Sequence, residues 1–218
     1  MSRDITKLHP FTKMLADELA RRCEKQGLKI KITDCVRTKE EQNGINASRT
    51  NARYPFSYHN WGMAFDFCRN DGTGAYNEAG NFFYKVGEIG ANLGLEWGGY
   101  WTSPVDKPHF QFDGYTGDQN RVTDLIKKYI IPEKMFKHDD FKVKTPKLDI
   151  TPKSSVKKIM WLQVRLNIHG VKTDMDGVWG PKTTESVKRY WKRETGNNCK
   201  GNRISVRCIG MLAKTPEF

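Results

Sequence analysis

Nowhere does this sequence string together the roughly 18 apolar residues that a membrane-crossing helix needs, which excludes such a helix. Its first residues, MSRDITKLHPFTKM, lack the apolar centre of a secretory leader. The expectation is a chain made in the cytoplasm, or exported by a route that the residues do not display. The five cysteines never form a C-x-x-C pair, so a thiolate zinc site has no support. Cys23, Cys35 and Cys68 sit among apolar neighbours and read as small buried hydrophobes. Cys199 and Cys208 bracket a polar loop and would pair only in an oxidising setting. No RNA- or DNA-binding motif is recognisable, so nucleic acid is not an expected partner. Histidine is scarce as well, with five in all: His9, His59, His109, His138 and His169.

What the chain does have is enough apolar matter for a packed core, 37% hydrophobic and 11% aromatic residues over 218 positions. Its net charge of +12 is uneven. Residues 1–131 carry 18 basic and 16 acidic side chains, while residues 132–218 carry 19 and 9, a net +10. A nearly neutral front and a basic back imply two jobs, the second facing something anionic such as nucleic acid, a membrane surface or the acidic polymers of a bacterial wall.

Phe11, Met14, Leu15, Leu19 and Cys23 recur at helical spacing, and Gly27 stops that helix. The alternation in LKIKITDCV predicts a strand. A polar loop with one helical turn follows, then a short strand in GMAFDFCR. A second helix is predicted over 81–92 with Phe83, Val86, Ile89 and Leu93 on one face. Short strands in LEWGG and HFQFD and a helix near 119–130 complete this half. Residues 132–155, rich in Lys, Asp and Pro, read as a linker. Beyond it lie a helical region from Val156 to Leu166, a turn in DMDGVWGPKT with Pro181 in a helix's first turn, and Gly196 as a stop.

Only His59 and His109 lie in stretches that look like core strands flanked by aromatics, and Asp66 sits between Phe65 and Phe67. Burying an imidazole or a carboxylate is costly unless it is paired or bound to a metal. Two histidines and one carboxylate would give a zinc ion three ligands and leave a fourth position for water, made nucleophilic at neutral pH. Asp106, three residues ahead of His109, is placed to move the proton. Either stretch alone also fits plain structure, a hydrogen-bonded core histidine or a salt-bridged aspartate; the pair of stretches is far more specific.

SYHNWGMAFDF resembles the S-x-H-x-x-G-x-A-x-D motif of the zinc peptidases that cleave peptidoglycan peptides, and DKPHFQ resembles their second motif. That family includes D-alanyl-D-alanine carboxypeptidases and the L-alanyl-D-glutamate endopeptidases of phage endolysins. LGLEWGGYW and the aspartate at 106 look most like the latter branch. The resemblance, over about residues 5–130, implies an α+β fold of the Hedgehog/DD-peptidase type, a small antiparallel sheet with packed helices. It implies zinc on His59, Asp66 and His109, with Asp106 as catalytic acid/base. It also matches Arg37 to an arginine that could hold a carbonyl or oxyanion. Ser57 is expected to help hold the site through its hydroxyl, a plain structural role being the alternative, and Trp61 and Trp97 are candidates to wall the substrate cleft, with core packing the alternative for both.

LQVRLN and DGVWGPKTTESVKRY resemble a small three-helix peptidoglycan-binding domain. The reading is therefore a catalytic domain at 1–131, a linker at 132–155 and a wall-binding domain at 156–218. It describes a phage-type endolysin that cleaves the L-Ala–D-Glu bond of peptidoglycan, binds anionic wall polymers as well, and reaches the wall from the host cytoplasm, through a holin pore if phage-borne. Its rivals are a D-Ala–D-Ala carboxypeptidase and a non-catalytic basic binding protein.

Overall fold

Alternation of side chains decides the sheet. In the computed structural model, which describes residues 3–46, 50, 52–114 and 121–217, four strands pair antiparallel in the order β1-β2-β4-β3: β1 Ile30–Asp34, β2 Ala64–Arg69, β3 Glu96–Trp97 and β4 His109–Gln111. Phe65 pairs with Phe110 across β2 and β4, Asp66 with His109, and Ala64 with Gln111. Because neighbours along a strand point to opposite faces, one face carries Phe65, Phe67, Trp97 and Phe110, and the other carries Asp66, His109, Gln111 and Glu96. The first face is dry: Phe67 and Phe110 stack with ring centroids 5.3 Å apart, and both are fully buried.

Helices cover that dry face. α1 (Pro10–Lys25) buries Phe11, Leu15, Leu19 and Cys23, and α3 (Phe82–Leu93) buries Phe83, Val86 and Leu93. α3 lies close on the sheet because Gly87 and Gly90 have no side chains: a Cβ on Gly87 would collide with the Trp97 ring, and one on Gly90 with the Phe110 ring. The expected polar loop before β2 contains α2 (Lys39–Gly44), opened by a capping box between Thr38 and Glu41.

The helix expected from 119 is α4 (Arg121–Tyr129), residues 119 and 120 lying outside those described. The front unit then runs past the expected boundary at 131. α5 (Pro132–Phe136) starts on Pro132, buries Met135, and its Glu133 accepts a 2.9 Å hydrogen bond from the Tyr54 hydroxyl. The chain divides into two units with the break after Phe141. The expected linker at 132–155 thus shrinks from both ends, since Ile150 already pairs with Ile204 in the second unit. Its many charges conceal the few apolar anchors that bind each end to a unit.

The second unit holds α6 (Val156–Ile168), α7 (Pro181–Thr195) and α8 (Val206–Leu212). Gln163 on α6 is fully buried and ties down the DGVWGPKT turn. Its amide donates to Asp176 Oδ1 (2.7 Å), the Val178 carbonyl (2.9 Å) and Thr183 Oγ1 (3.0 Å), and its Oε1 accepts from Gly177 N–H (2.7 Å). Cys199 and Cys208 are both free thiols.

Candidate metal centre

The polar face of the sheet gathers the site. β2 and β4 set Asp66 and His109 directly opposite each other, and a short 3-10 turn over Tyr58–Trp61 brings in His59. His59 therefore sits on a capped turn, not on the strand its apolar neighbours suggest. Ser57 makes that turn: its Oγ accepts from His59 N–H (3.3 Å), and Asn60 Oδ1 accepts from Ser57 N–H (3.2 Å). Gly62 ends it in the left-handed region (φ 63°), with a Cβ there only 2.9 Å from His9 N. Asn60 Nδ2 donates to the Arg37 carbonyl at 3.0 Å, binding the turn to the end of β1.

Three ligand atoms converge. Asp66 Oδ1 lies 3.0 Å from His109 Nδ1 and 3.3 Å from His59 Nε2, and the two imidazole nitrogens are 3.3 Å apart. A tetrahedral ion with bonds of about 2.0–2.1 Å sets its donors about 3.3 Å from one another, so the spacing and the two-nitrogen, one-oxygen donor set both fit zinc. Each donor is steered from behind. His59 Nδ1 donates to the Cys35 carbonyl (2.9 Å), Asp66 Oδ2 accepts from Arg37 Nη2 (2.8 Å), and His109 Nε2 faces Gln111 Oε1 (3.2 Å). His59 and His109 are 2% and 7% exposed, so the cluster is sheltered from competing water.

The electrostatics follow from this crowding. Burial works to raise the Asp66 carboxyl, but His59 and His109 outweigh it and hold the group well below the usual carboxylate range. Burial disfavours the charged form of His109, yet the hydrogen bond and charge of Asp66, with Asp106 behind, raise it above an ordinary imidazole. Burial lifts Asp106 above its usual value, and Asp66 adds to the rise while His109 opposes it. The Asp106 side chain takes no hydrogen bond or ion pair among the described residues. Its backbone is pinned instead: its N–H donates to the Gly98 carbonyl (2.9 Å), and its carbonyl accepts from His109 N–H (3.1 Å). Among the described residues the Asp106 carboxyl, raised by burial, thus stands without a side-chain partner near His59, Asp66 and His109.

Only the expectation for the two tryptophans needs correction; Arg37 and Ser57 take on structural contacts besides. Arg37 gives Nε–H to Asp34 and one Nη2–H to Asp66, so it clamps the Asp66 carboxylate and keeps its other N–H donors for a carbonyl. Trp61 and Trp97 are 0% and 1% exposed and cannot wall a cleft. Each buries its ring and donates Nε1–H to a backbone carbonyl 2.7 Å away, of Pro55 and Lys107 respectively. Ser57 caps the His59 turn, and its hydroxyl holds that turn by accepting from His59 N–H. The sequence reading missed Asp34, Glu96, Trp101 and Gln111. The signal for Gln111 was present: two residues beyond His109 on a strand, it had to share the face of the site.

A family profile described as D-alanyl-D-alanine carboxypeptidase matches residues 50–112. The L-alanyl-D-glutamate peptidase of Listeria phage A118 is 36% identical over 122 residues, covering 53% of this chain and 42% of that protein. The peptidoglycan L-alanyl-D-glutamate endopeptidase CwlK of Bacillus subtilis (strain 168) is 35% identical over 121 residues, covering 48% of this chain and 72% of that protein. The chain thus spans less than half the length of the phage relative. Among solved structures, the Serratia marcescens L-Ala D-Glu endopeptidase ChiX superposes with a TM-score of 0.42 at 19% identity, over 50% of this chain and 82% of that one.

Proposed function

This chain belongs to the family of the L-alanyl-D-glutamate peptidases, and we propose that it hydrolyses the L-Ala–D-Glu amide of peptidoglycan stem peptides with zinc on His59, Asp66 and His109. The observation that carries the reading is the three-donor cluster with Asp106 beside it, inside the residues 50–112 that the family profile matches, in a chain whose relatives are named for that bond. When bound, zinc would supply Lewis-acid polarisation of the scissile carbonyl and a water acidic enough to attack at neutral pH. The chain's own residues do the rest. Asp66, clamped by Arg37, and the two histidines present their donors in a preset geometry. Asp106 accepts the proton of the attacking water and hands it to the leaving amine, a role suited to a carboxyl raised by burial.

The second unit, on this reading, holds the enzyme on the wall, with the excess positive charge beyond residue 131 drawn to anionic wall polymers. Such a protein acts as a phage-type endolysin on the wall of its host after release, through a holin pore if phage-borne. No helix among the described residues is long and apolar enough to cross a membrane.

Digestion of purified peptidoglycan, followed by mass analysis of the products, tests the reading. A new free amine on D-Glu is expected. Release of terminal D-Ala would assign the chain to the carboxypeptidase activity that the matching profile describes. No cleavage by zinc-loaded protein would overturn the proposal. For the second unit, wall pull-downs compare the full chain with one ending at Phe141. Weaker binding by the shorter chain is expected, and a salt-sensitive difference would mark charge as the cause, since exposed charges are screened over about 8 Å at physiological salt.

A further inference from the structure

The two histidines of the cluster face it with different atoms. His59 turns Nε2 inward and gives Nδ1–H to the Cys35 carbonyl (2.9 Å). His109 turns Nδ1 inward, so Nε2 must carry the proton if the ring is to be neutral and free to bind a metal. A histidine left to itself has no strong reason to choose that tautomer, and a carboxylate 3.0 Å from Nδ1 favours a proton on the wrong nitrogen. Something must oppose it.

The opposing groups come from β3, β4 and the loop between them. Glu96 and Gln111 are cross-strand partners. Gln111 Nε2 donates to Glu96 Oε2 at 2.8 Å, which turns the amide oxygen toward His109 Nε2 at 3.2 Å. Glu96 is fixed in turn by Trp101, whose Nε1–H donates to Oε1 at 2.6 Å and whose ring lies 5.1 Å from the His109 ring, centroid to centroid. An amide alone could flip and present its NH₂ to the histidine. The Glu96 carboxylate, an acceptor with no proton to give, forbids the flip.

We infer that Glu96, Gln111 and Trp101 are positioning residues that hold His109 as the Nε2–H tautomer, so that Nδ1 is available to the cation. This inference rests on the metal reading above. Groups behind metal-bound histidines typically change metal affinity by about 10–100-fold when removed. The test uses the full chain and zinc itself. Zinc affinity is measured by competition with a chromophoric chelator, with circular dichroism to check folding. Gln111→Leu is expected to weaken zinc about 10–100-fold. The double exchange Glu96→Gln with Gln111→Glu reverses the direction of the hydrogen bond and still offers His109 an acceptor, so it should regain most of the loss. Long-range ¹⁵N–¹H spectra of the zinc-loaded parent should show opposite tautomers, Nδ1–H for His59 and Nε2–H for His109. A folded Gln111→Leu that binds zinc as tightly as the parent would overturn the inference. Should that variant fail to fold, the exchange variant and the parent spectrum decide, and matching tautomers in the parent would overturn it equally. A parent that binds no zinc would instead remove the metal reading on which it stands.

Discussion

Asp34 and Asp66 face each other across β1 and β2 only because the ladder slips between them. Ile32 pairs with Phe67, yet Asp34 pairs with Asp66, so Thr33 is an extra residue bulged out of register. In regular pairing Thr33 would stand opposite Asp66 and Asp34 would point to the other face. The bulge instead puts two carboxylates on either side of the Arg37 guanidinium. Asp34→Ala should leave Arg37 held on one side only. A loss of about 1.5–3 kcal/mol, the worth of a hydrogen bond to a charged group, is expected in urea denaturation at neutral pH. Unchanged stability would show that the clamp is not a structural element.

Asp106 is the group whose removal should separate chemistry from metal binding. Asp106→Asn is expected to retain zinc by elemental analysis and to lose roughly 10²–10⁴ in rate. The pH profile carries a second test. A base must be deprotonated to act, and burial raises this carboxyl above 3.8. Activity should therefore be full above its raised value and fall as pH drops through it, at a point higher than an exposed aspartate would give. Zinc content measured at each pH separates this from loss of the ion. An acid limb at or below 3.8 would contradict the assignment.

Gly90 lets α3 rest on the sheet where Phe110 lies, and Phe110 is the neighbour of His109. Gly90→Ala forces a methyl into the Phe110 ring. Overpacking of this kind typically costs about 1–3 kcal/mol, and here the displaced ring sits on the strand that carries His109, one of the three proposed zinc ligands. Lower thermal stability and weaker zinc binding are both expected, read by calorimetry and chelator competition. A variant as stable as the parent would mean that the helix can lift without cost.

In the second unit, Gln163→Leu keeps the side chain's bulk and removes four hydrogen bonds to the 176–183 turn. Leaving even one buried group unpaired costs about 1–3 kcal/mol. Wall binding should fall in a pull-down at elevated temperature, while hydrolysis of soluble stem peptides stays at the parent rate. A matching loss of hydrolysis would show that the two activities do not divide between the units.

Strand pattern, together with two motifs that resemble those of zinc peptidases, marked His59, Asp66, Asp106 and His109 as candidates, and the fold gathers His59, Asp66 and His109. Strand alternation is a local property, so Asp66 between Phe65 and Phe67 announces a polar face opposite an aromatic one before any partner strand is known. Helices α1, α3, α4, α6 and α7 were legible for the same reason, through Leu15, Leu19 and Cys23 in one unit and Pro181 and Gly196 in the other, while α5 and α8 were not. What the tertiary structure decided was every relation across strands. The bulge that turns Asp34 toward Arg37 depends on register, which belongs to a pair of strands and not to either one. The pairing of Glu96 with Gln111 joins two short strands that pattern alone cannot align. The burial of Trp61 and Trp97 depends on what packs over them, and tryptophan chemistry suits a cleft wall as well as a core. The end of the first unit at Phe141 rests on Met135 and Tyr54 meeting elements distant in the chain, contacts that a run of lysines and aspartates hides. Local sequence states what each residue needs from its surroundings; only the folded chain settles which neighbour meets that need.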